Sequence, residues 1–182
     1  DNPYSFILND NPMSLLSVPR AKECCFELNS TSKSLNMPGW RIGMLAGNPE
    51  LISYVLKAKS NVDSGMFKPM QMAAAKALEA DKDWYDGINS VYRARRKYAE
   101  AILDYIGCTY DKSQVGLFMW GKIPASYKSC EEVADKILYD CRVFVTPGFI
   151  FGSNGDRYIR ISLCSTEEKL SEALQRIKEN LK

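Results

Sequence analysis

Histidine is absent from all 182 residues. That one zero removes Ser-His-Asp and Cys-His catalysis, and every His-ligated metal site, from this chain; proton transfer then falls to Lys, Tyr, Cys or carboxylates. An excess of either charge is missing too. With 24 Lys plus Arg against 22 Asp plus Glu, the net charge of +2 disfavours a broad nucleic-acid footprint. No apolar run is long enough to span a bilayer, and the polar, proline-containing start does not read as a signal peptide. The six cysteines (Cys24, Cys25, Cys108, Cys130, Cys141 and Cys164) include no Cys-x-x-Cys pair, which argues against zinc and against a dithiol motif. They read as reduced, mostly buried thiols of a cytoplasmic protein.

What is present is an ordinary globular composition, 46% apolar and 25% charged. A chain of this size can bury roughly 70% of its unfolded surface, so a sizeable core is expected. The chain opens on Asp1 without an initiating Met, and the expectation is a processed or truncated piece of a longer protein.

Apolar patterning predicts a short strand at Cys24–Leu28 and a strand buried on both faces at Arg41–Gly47, an α/β signature. Asn48 and Pro49 open a helix whose apolar stripe is Leu51, Ile52, Val55 and Leu56. A second helix is expected from about Pro69 to Glu79. From Asp83 the spacing of Trp84, Ile88, Val91, Tyr98, Ile102 and Ile106 predicts one long helix stopped by Gly107, about 35 Å in length and able to bridge two domains. Its Arg93, Arg95, Arg96 and Lys97 read as a solvated face, with a patch for an acidic partner as the lesser alternative. Beyond it come strands at Gly116–Ile123, Arg142–Thr146 and Arg157–Leu163. They alternate with helices from Ser129 and Ser165, each opened by a capping box: Ser129 with Glu132, and Ser165 with Glu168. The last helix turns Leu170, Leu174, Ile177 and Leu181 toward a sheet, completing a small α+β unit.

The chemistry concentrates in Ser30-Thr31-Ser32-Lys33-Ser34-Leu35-Asn36-Met37-Pro38-Gly39-Trp40-Arg41-Ile42-Gly43. A lysine held in such a segment, partly desolvated and near another cation, can have its pKa lowered enough to act as an amine nucleophile and form a Schiff base. The hydroxyls and the guanidinium supply the donors and the positive fork that a phosphate needs. The pattern resembles the cofactor-lysine signature of fold-type I pyridoxal-phosphate enzymes, the class I and II aminotransferases, at Ser30, Ser32, Lys33, Gly39, Arg41 and Gly43. Six fixed residues at fixed spacing arise by chance in on the order of one chain of this length in 10⁵.

Two further segments carry the resemblance. Asp1-Asn2-Pro3-Tyr4 stands about thirty residues ahead of the lysine, where the family has an Asp that pairs with the cofactor's pyridine nitrogen and a Tyr that bonds its phenolic oxygen. Near the other end, Val145-Thr146-Pro147-Gly148, Phe151-Gly152 and Tyr158-Ile159-Arg160-Ile161-Ser162 resemble the segment whose arginine forks onto the substrate α-carboxylate. Arg160 fits that role, and Arg157 and Arg142 are its nearby competitors. Asn61–Phe67 lies where the family has a loop reaching into a neighbouring subunit, although it reads equally well as a turn. Gly116-Leu117-Phe118-Met119-Trp120 resembles a strand bordering the substrate, although an aromatic strand is more often core.

The resemblance implies α/β architecture, with residues 1–80 as the C-terminal part of the large cofactor domain and 81–182 as a linking helix plus the small α+β domain. It implies pyridoxal 5′-phosphate as cofactor, held by Asp1, Tyr4, Ser30, Ser32, Lys33 and Arg41, with Lys33 catalytic, Arg160 binding substrate and no metal. The expected activity is transamination between an amino acid and a 2-oxo acid in a cytoplasmic homodimer, without nucleic acid or membrane, by a fragment inactive alone. Branches closest in look are the alanine and LL-diaminopimelate aminotransferases. The alternatives are a C–S lyase or racemase of the same fold, and a non-enzymatic pyridoxal-phosphate-sensing domain of a transcription regulator.

Overall fold

The structure is a computed structural model that describes residues 3–182. Its chain divides into two compact units, residues 1–88 and 89–182.

In the first unit a short helix, α1 (Ala21–Cys24), leads into strand β1 (Phe26–Ser30). One helical turn, α2 (Thr31–Ser34), and a 3₁₀ turn at Pro38–Trp40 separate β1 from β2 (Gly43–Gly47), and the two strands pair antiparallel with Ser30 opposite Gly43. Two sequence expectations shift here. Cys24 and Cys25 precede the first strand instead of opening it. The second strand is not buried on both faces, since Gly43 and Ala46 are exposed and none of its residues is fully covered. Its apolar run is the pattern of a strand with neighbours on each side, yet among the described residues it pairs only with β1.

Helix α3 (Pro49–Lys59) begins as its sequence requires: Pro49 needs no amide partner at the first position, and the Asn48 side chain accepts from the amides of Glu50 and Leu51 at 2.9 and 3.0 Å. Its apolar stripe is only partly covered: no residue of the helix is buried, Leu51 and Ile52 are half-buried, and Val55 and Leu56 are exposed, Leu56 at 63%. Helix α4 (Lys68–Ala77) follows an exposed stretch over 60–67.

Helix α5 (Lys82–Ile106) is the long helix the spacing predicts, and Gly107 ends it at φ +83°. Inside the second unit its Ala99, Ile102, Leu103 and Ile106 are buried. Arg93 and Lys97 are exposed, as a solvated face requires, whereas Arg95 and Arg96 are half-buried. Arg95 donates to the carbonyl of Leu163 at 3.1 Å, whereas Arg96 donates to the carbonyls of Lys112 and Gln114 and pairs with Glu100, so both brace loops rather than form an acidic-partner patch.

The second unit's sheet is antiparallel in the order β3-β5-β4, with β3 (Phe118–Lys122), β4 (Thr146–Pro147) and β5 (Tyr158–Ser162). The expected strand at Arg142–Thr146 shrinks to two residues, because Arg142 takes the left-handed conformation that caps helix α6 (Cys130–Cys141). Met119, Gly121, Ile159 and Ile161 face inward. Gly121 lies so close to Leu103 that a Cβ there would come within 2.5 Å of it, which fixes α5 against the sheet. Gly148 and Gly155 cross with carbonyl oxygens 2.2 and 2.0 Å from where a Cβ would stand.

Ser129 caps α6 by accepting from the Glu132 amide, but Glu132 answers the amide of Lys128, not that of Ser129. Helix α7 (Glu167–Asn180) starts one residue later than its capping box predicts, with Thr166 accepting from Lys169. It buries Leu170 and Ile177 and packs against α6. Of the six free cysteines only Cys108, Cys130 and Cys141 are buried, half rather than most.

Candidate active site

The hydroxyls of Ser30 and Thr31 shape the lysine segment. Ser30 ends β1 and its Oγ accepts from the Ser32 amide at 3.1 Å, starting α2. That acceptance leaves the Ser30 hydroxyl proton free to donate. Thr31, fully buried, closes the base of the segment: its amide and its Oγ1 both reach the carbonyl of Ile42, at 3.2 and 3.1 Å. The Met37 amide returns to the Thr31 carbonyl at 3.2 Å, and the Trp84 indole holds the Ser34 carbonyl at 3.2 Å. Ser32 and Ser34 are buried, and Lys33 between them is half-buried, its Nζ 5.6 Å from the centroid of the Tyr4 ring. A lysine on a braced single turn, beside an aromatic ring, has far fewer orientations than one on a free loop.

Arg41 sits at φ +54°, a conformation costing a non-glycine residue roughly 1–2 kcal/mol. One guanidinium nitrogen donates to the Pro38 carbonyl at 3.1 Å; the side chain is exposed and its other N–H groups remain for an anion. The structure thus brings Tyr4 to Lys33 and links Ser30 to Ser32, while Arg41 bonds back to its own turn. Asp1 lies outside the described residues. A separate open cavity of about 710 Å³ in this unit is lined by Thr31, Ile42, Met44, Lys59 and Gln71 among others, but not by Lys33.

In the second unit Arg160 lies mid-strand in β5, opposite Trp120 of β3 and Thr146 of β4. It is on the sheet face away from the core, alternating with buried Ile159 and Ile161. Its guanidinium carbon lies 4.1 Å from the Phe118 ring centroid, 4.3 Å from that of Phe151 and 5.9 Å from that of Trp120, and its Nε is buried with no hydrogen-bond partner. Arg157 differs. Its guanidinium donates to the carbonyls of Ile123, Pro124, Tyr127 and Lys128, so it is spent on holding that loop. Arg142 caps α6 at the surface.

Sequence reasoning placed Phe118 on a strand resembling one that borders the substrate and Phe151 in the segment of the arginine, but it did not pair either ring with Arg160. Period-two alternation puts Phe118 and Trp120 on one face, but only the strand register shows that Arg160 shares it. Among the described residues no cluster of three or more Cys, Asp or Glu side chains could hold a metal ion.

The profile of the family "Aminotransferase class I and II" matches residues 6–177, which is nearly the whole chain. The chain belongs to the class I and II aminotransferase family. The LL-diaminopimelate aminotransferase of Aquifex aeolicus is 42% identical over 184 residues, a match spanning all of this chain and 47% of that protein. The corresponding enzyme of Nitratidesulfovibrio vulgaris strain DSM 19637 is 40% identical, over 93% of this chain and 43% of its own. Among solved structures, apo-BacF from Bacillus subtilis superposes with a TM-score of 0.88 at 34% identity, covering 98% of this chain and 46% of that one. An aminotransferase from Staphylococcus aureus does so with a TM-score of 0.86 at 32% identity, covering 98% and 48%. The chain therefore spans about half the length of the relatives it matches, and its α/β fold is that of the corresponding part of this pyridoxal-phosphate-dependent family.

Proposed function

We propose that this chain is the part of a pyridoxal-phosphate-dependent aminotransferase that supplies the cofactor lysine and the carboxylate-binding arginine. The observation that carries the reading is the braced turn presenting half-buried Lys33 beside Tyr4 within a family-matching segment. The donor set fits the cofactor: the free hydroxyl proton of Ser30, the Ser32 hydroxyl and the open N–H groups of Arg41 suit a phosphate, and the Tyr4 phenol suits an oxygen on a flat ring. When bound, pyridoxal 5′-phosphate supplies an aldehyde and an electron-withdrawing ring. With the cofactor present, Lys33 would be the residue that holds it, through Nζ, and the same amine would serve as the base that takes and returns a proton. Arg160 orients the amino or oxo acid by its carboxylate, and Asp1 is assigned to the ring nitrogen by its place ahead of Tyr4.

In this reading residues 1–80 belong to the large cofactor domain and 81–182 to the linking helix and small domain. The substrates are an amino acid and a 2-oxo acid, with LL-diaminopimelate favoured by the LL-diaminopimelate aminotransferases among the chain's relatives. The complete protein is a homodimer in the cytoplasm, a compartment that suits six unpaired thiols. Activity requires the half of the relatives' length that this chain does not span.

The test is Lys33→Ala in the full-length protein. Borohydride reduction of the wild type followed by peptide mapping should find the cofactor on Lys33 alone. The variant should bind it only noncovalently and lose turnover on the order of 10³-fold or more. Full transamination by the variant, or elimination products in place of a 2-oxo acid from the wild type, would overturn the reading.

A further inference from the structure

We propose that Phe118 and Phe151 are positioning residues that hold the half-buried Arg160 guanidinium, its Nε shielded from water, with its N–H edge turned to the substrate carboxylate. The inference rests on the assignment of Arg160 to substrate binding and deepens it.

The two rings approach from opposite flanks of the arginine's strand. Phe118 belongs to β3 on one side of β5; Phe151 follows β4 on the other, in the 3₁₀ turn Gly148–Phe151. With centroids 4.1 and 4.3 Å from the guanidinium carbon, both are in direct contact with the cation. Trp120, directly opposite Arg160, stands edge-on to Phe151 at 5.2 Å and backs that ring.

A guanidinium has two faces and an edge. Rings that attract the cation through their quadrupoles engage its faces, leaving the in-plane N–H groups for hydrogen bonds. The buried, unpartnered Nε is the second observation: a desolvated donor is costly, and a site that tolerates one gains more when an acceptor arrives. A planar carboxylate meeting the edge is the anion class that this arrangement selects. Arginine also loses much rotamer freedom when it is fixed, and rings that fix it in advance remove that loss from the binding step. Phe151 is 51% exposed, so its contact with Arg160 is not explained by core burial.

The experiment uses the full-length protein and four variants: Phe118→Leu, Phe151→Leu, Phe151→Tyr and Arg160→Gln. Leucine keeps apolar bulk without a π face; tyrosine keeps the face. Two measurements are made on each. One is the half-reaction with an L-amino acid and with the amine lacking its carboxylate. The other is solvent exchange of the Arg160 Nε–H, followed by ¹⁵N NMR with and without 2-oxoglutarate.

Each leucine variant should lose about five- to thirtyfold in kcat/KM for the amino acid, mostly in KM, with reaction of the amine unchanged. Its Arg160 Nε–H should exchange at least several-fold faster, and Phe151→Tyr should behave as wild type. Leucine variants with unaltered exchange and unaltered KM would overturn the positioning role while Arg160→Gln still lost amino-acid binding. If Arg160→Gln kept wild-type affinity for the amino acid, the underlying assignment of Arg160 would fall, and the positioning role with it.

Discussion

The two units bury their apolar residues very differently. Among the described residues, nineteen of the twenty-five buried apolar side chains lie after residue 88, whereas fifteen of the twenty-three exposed large ones lie before it. The second unit has a closed core in which Ile137, Ile159, Leu163 and Ile177 are fully covered. The first holds Lys33 in a tightly bonded local turn yet leaves Val55 and Leu56 of the α3 stripe and much of 60–78 in solvent. The lesson is that order at the lysine comes from short-range hydrogen bonds around Thr31, whereas order at Arg160 comes from a sheet and its packed helices. Cutting one bond matters most in the first unit, and cutting one methyl group in the second.

That contrast can be tested from the strongest effect downward. Ile159→Ala, at the centre of the second unit's sheet, should cost about 2–5 kcal/mol in urea unfolding of that unit, whereas Leu56→Ala on the exposed α3 stripe should change stability by less than about 0.5 kcal/mol. Equal losses would mean that the stripe is covered. Gly148→Ala should cost about 1–3 kcal/mol, because the new methyl group would stand 2.2 Å from the Gly155 carbonyl oxygen; a variant melting at the wild-type temperature would contradict that crossing.

The caps come next. Ser129→Ala should lose about 1 kcal/mol from the second unit, read as a drop in its melting temperature, and Ser129→Asp should restore most of it. An alanine variant as stable as wild type would show that the Lys128–Glu132 contact alone suffices. The mildest effect is a pH window. Burial pushes the Cys108 thiol up from its ordinary 9.0 to about 12, and the phenol of Tyr110 rises from 10.0 to about 12, first from burial and then from its bond to Asp104. Both groups favour their neutral forms when folded, so the stability they contribute is full below pH 9 and is lost as the pH rises toward 12. A urea midpoint for the second unit that stays flat between pH 9 and 11 would refute this.

The sequence was legible where a signal is local. Asn48 with Pro49, Gly107 and the spacing along α5 each rest on a few neighbouring residues, and the structure places those helix boundaries within a residue or so. It was less legible where two local signals compete. Ser165 and Thr166 can both cap, and the structure uses Thr166. Arg142 can extend or cap, and the left-handed cap reduces the expected strand to Thr146–Pro147. In the charge run on α5, Arg93 and Lys97 are solvated as expected, but one sequence does not reveal the carbonyls of Leu163, Gln114 and Lys112 that Arg95 and Arg96 meet.

By itself the sequence determined that this chain carries no histidine and belongs with the class I and II aminotransferases, and it offered Ser30–Gly43 and Arg160 as the candidate site. Residue type and spacing suffice for that, because the capacity to act as an amine nucleophile or to fork onto a carboxylate is a property of a single side chain. Only the tertiary structure decided which arginine is free. Arg157 and Arg160 stand three apart on one short stretch; one is consumed by four carbonyls while the other is left with a bare Nε against aromatic rings. What separates them is the set of groups that strand register and loop return bring near each, and those partners come from residues 118–151, too far along the chain for spacing to show.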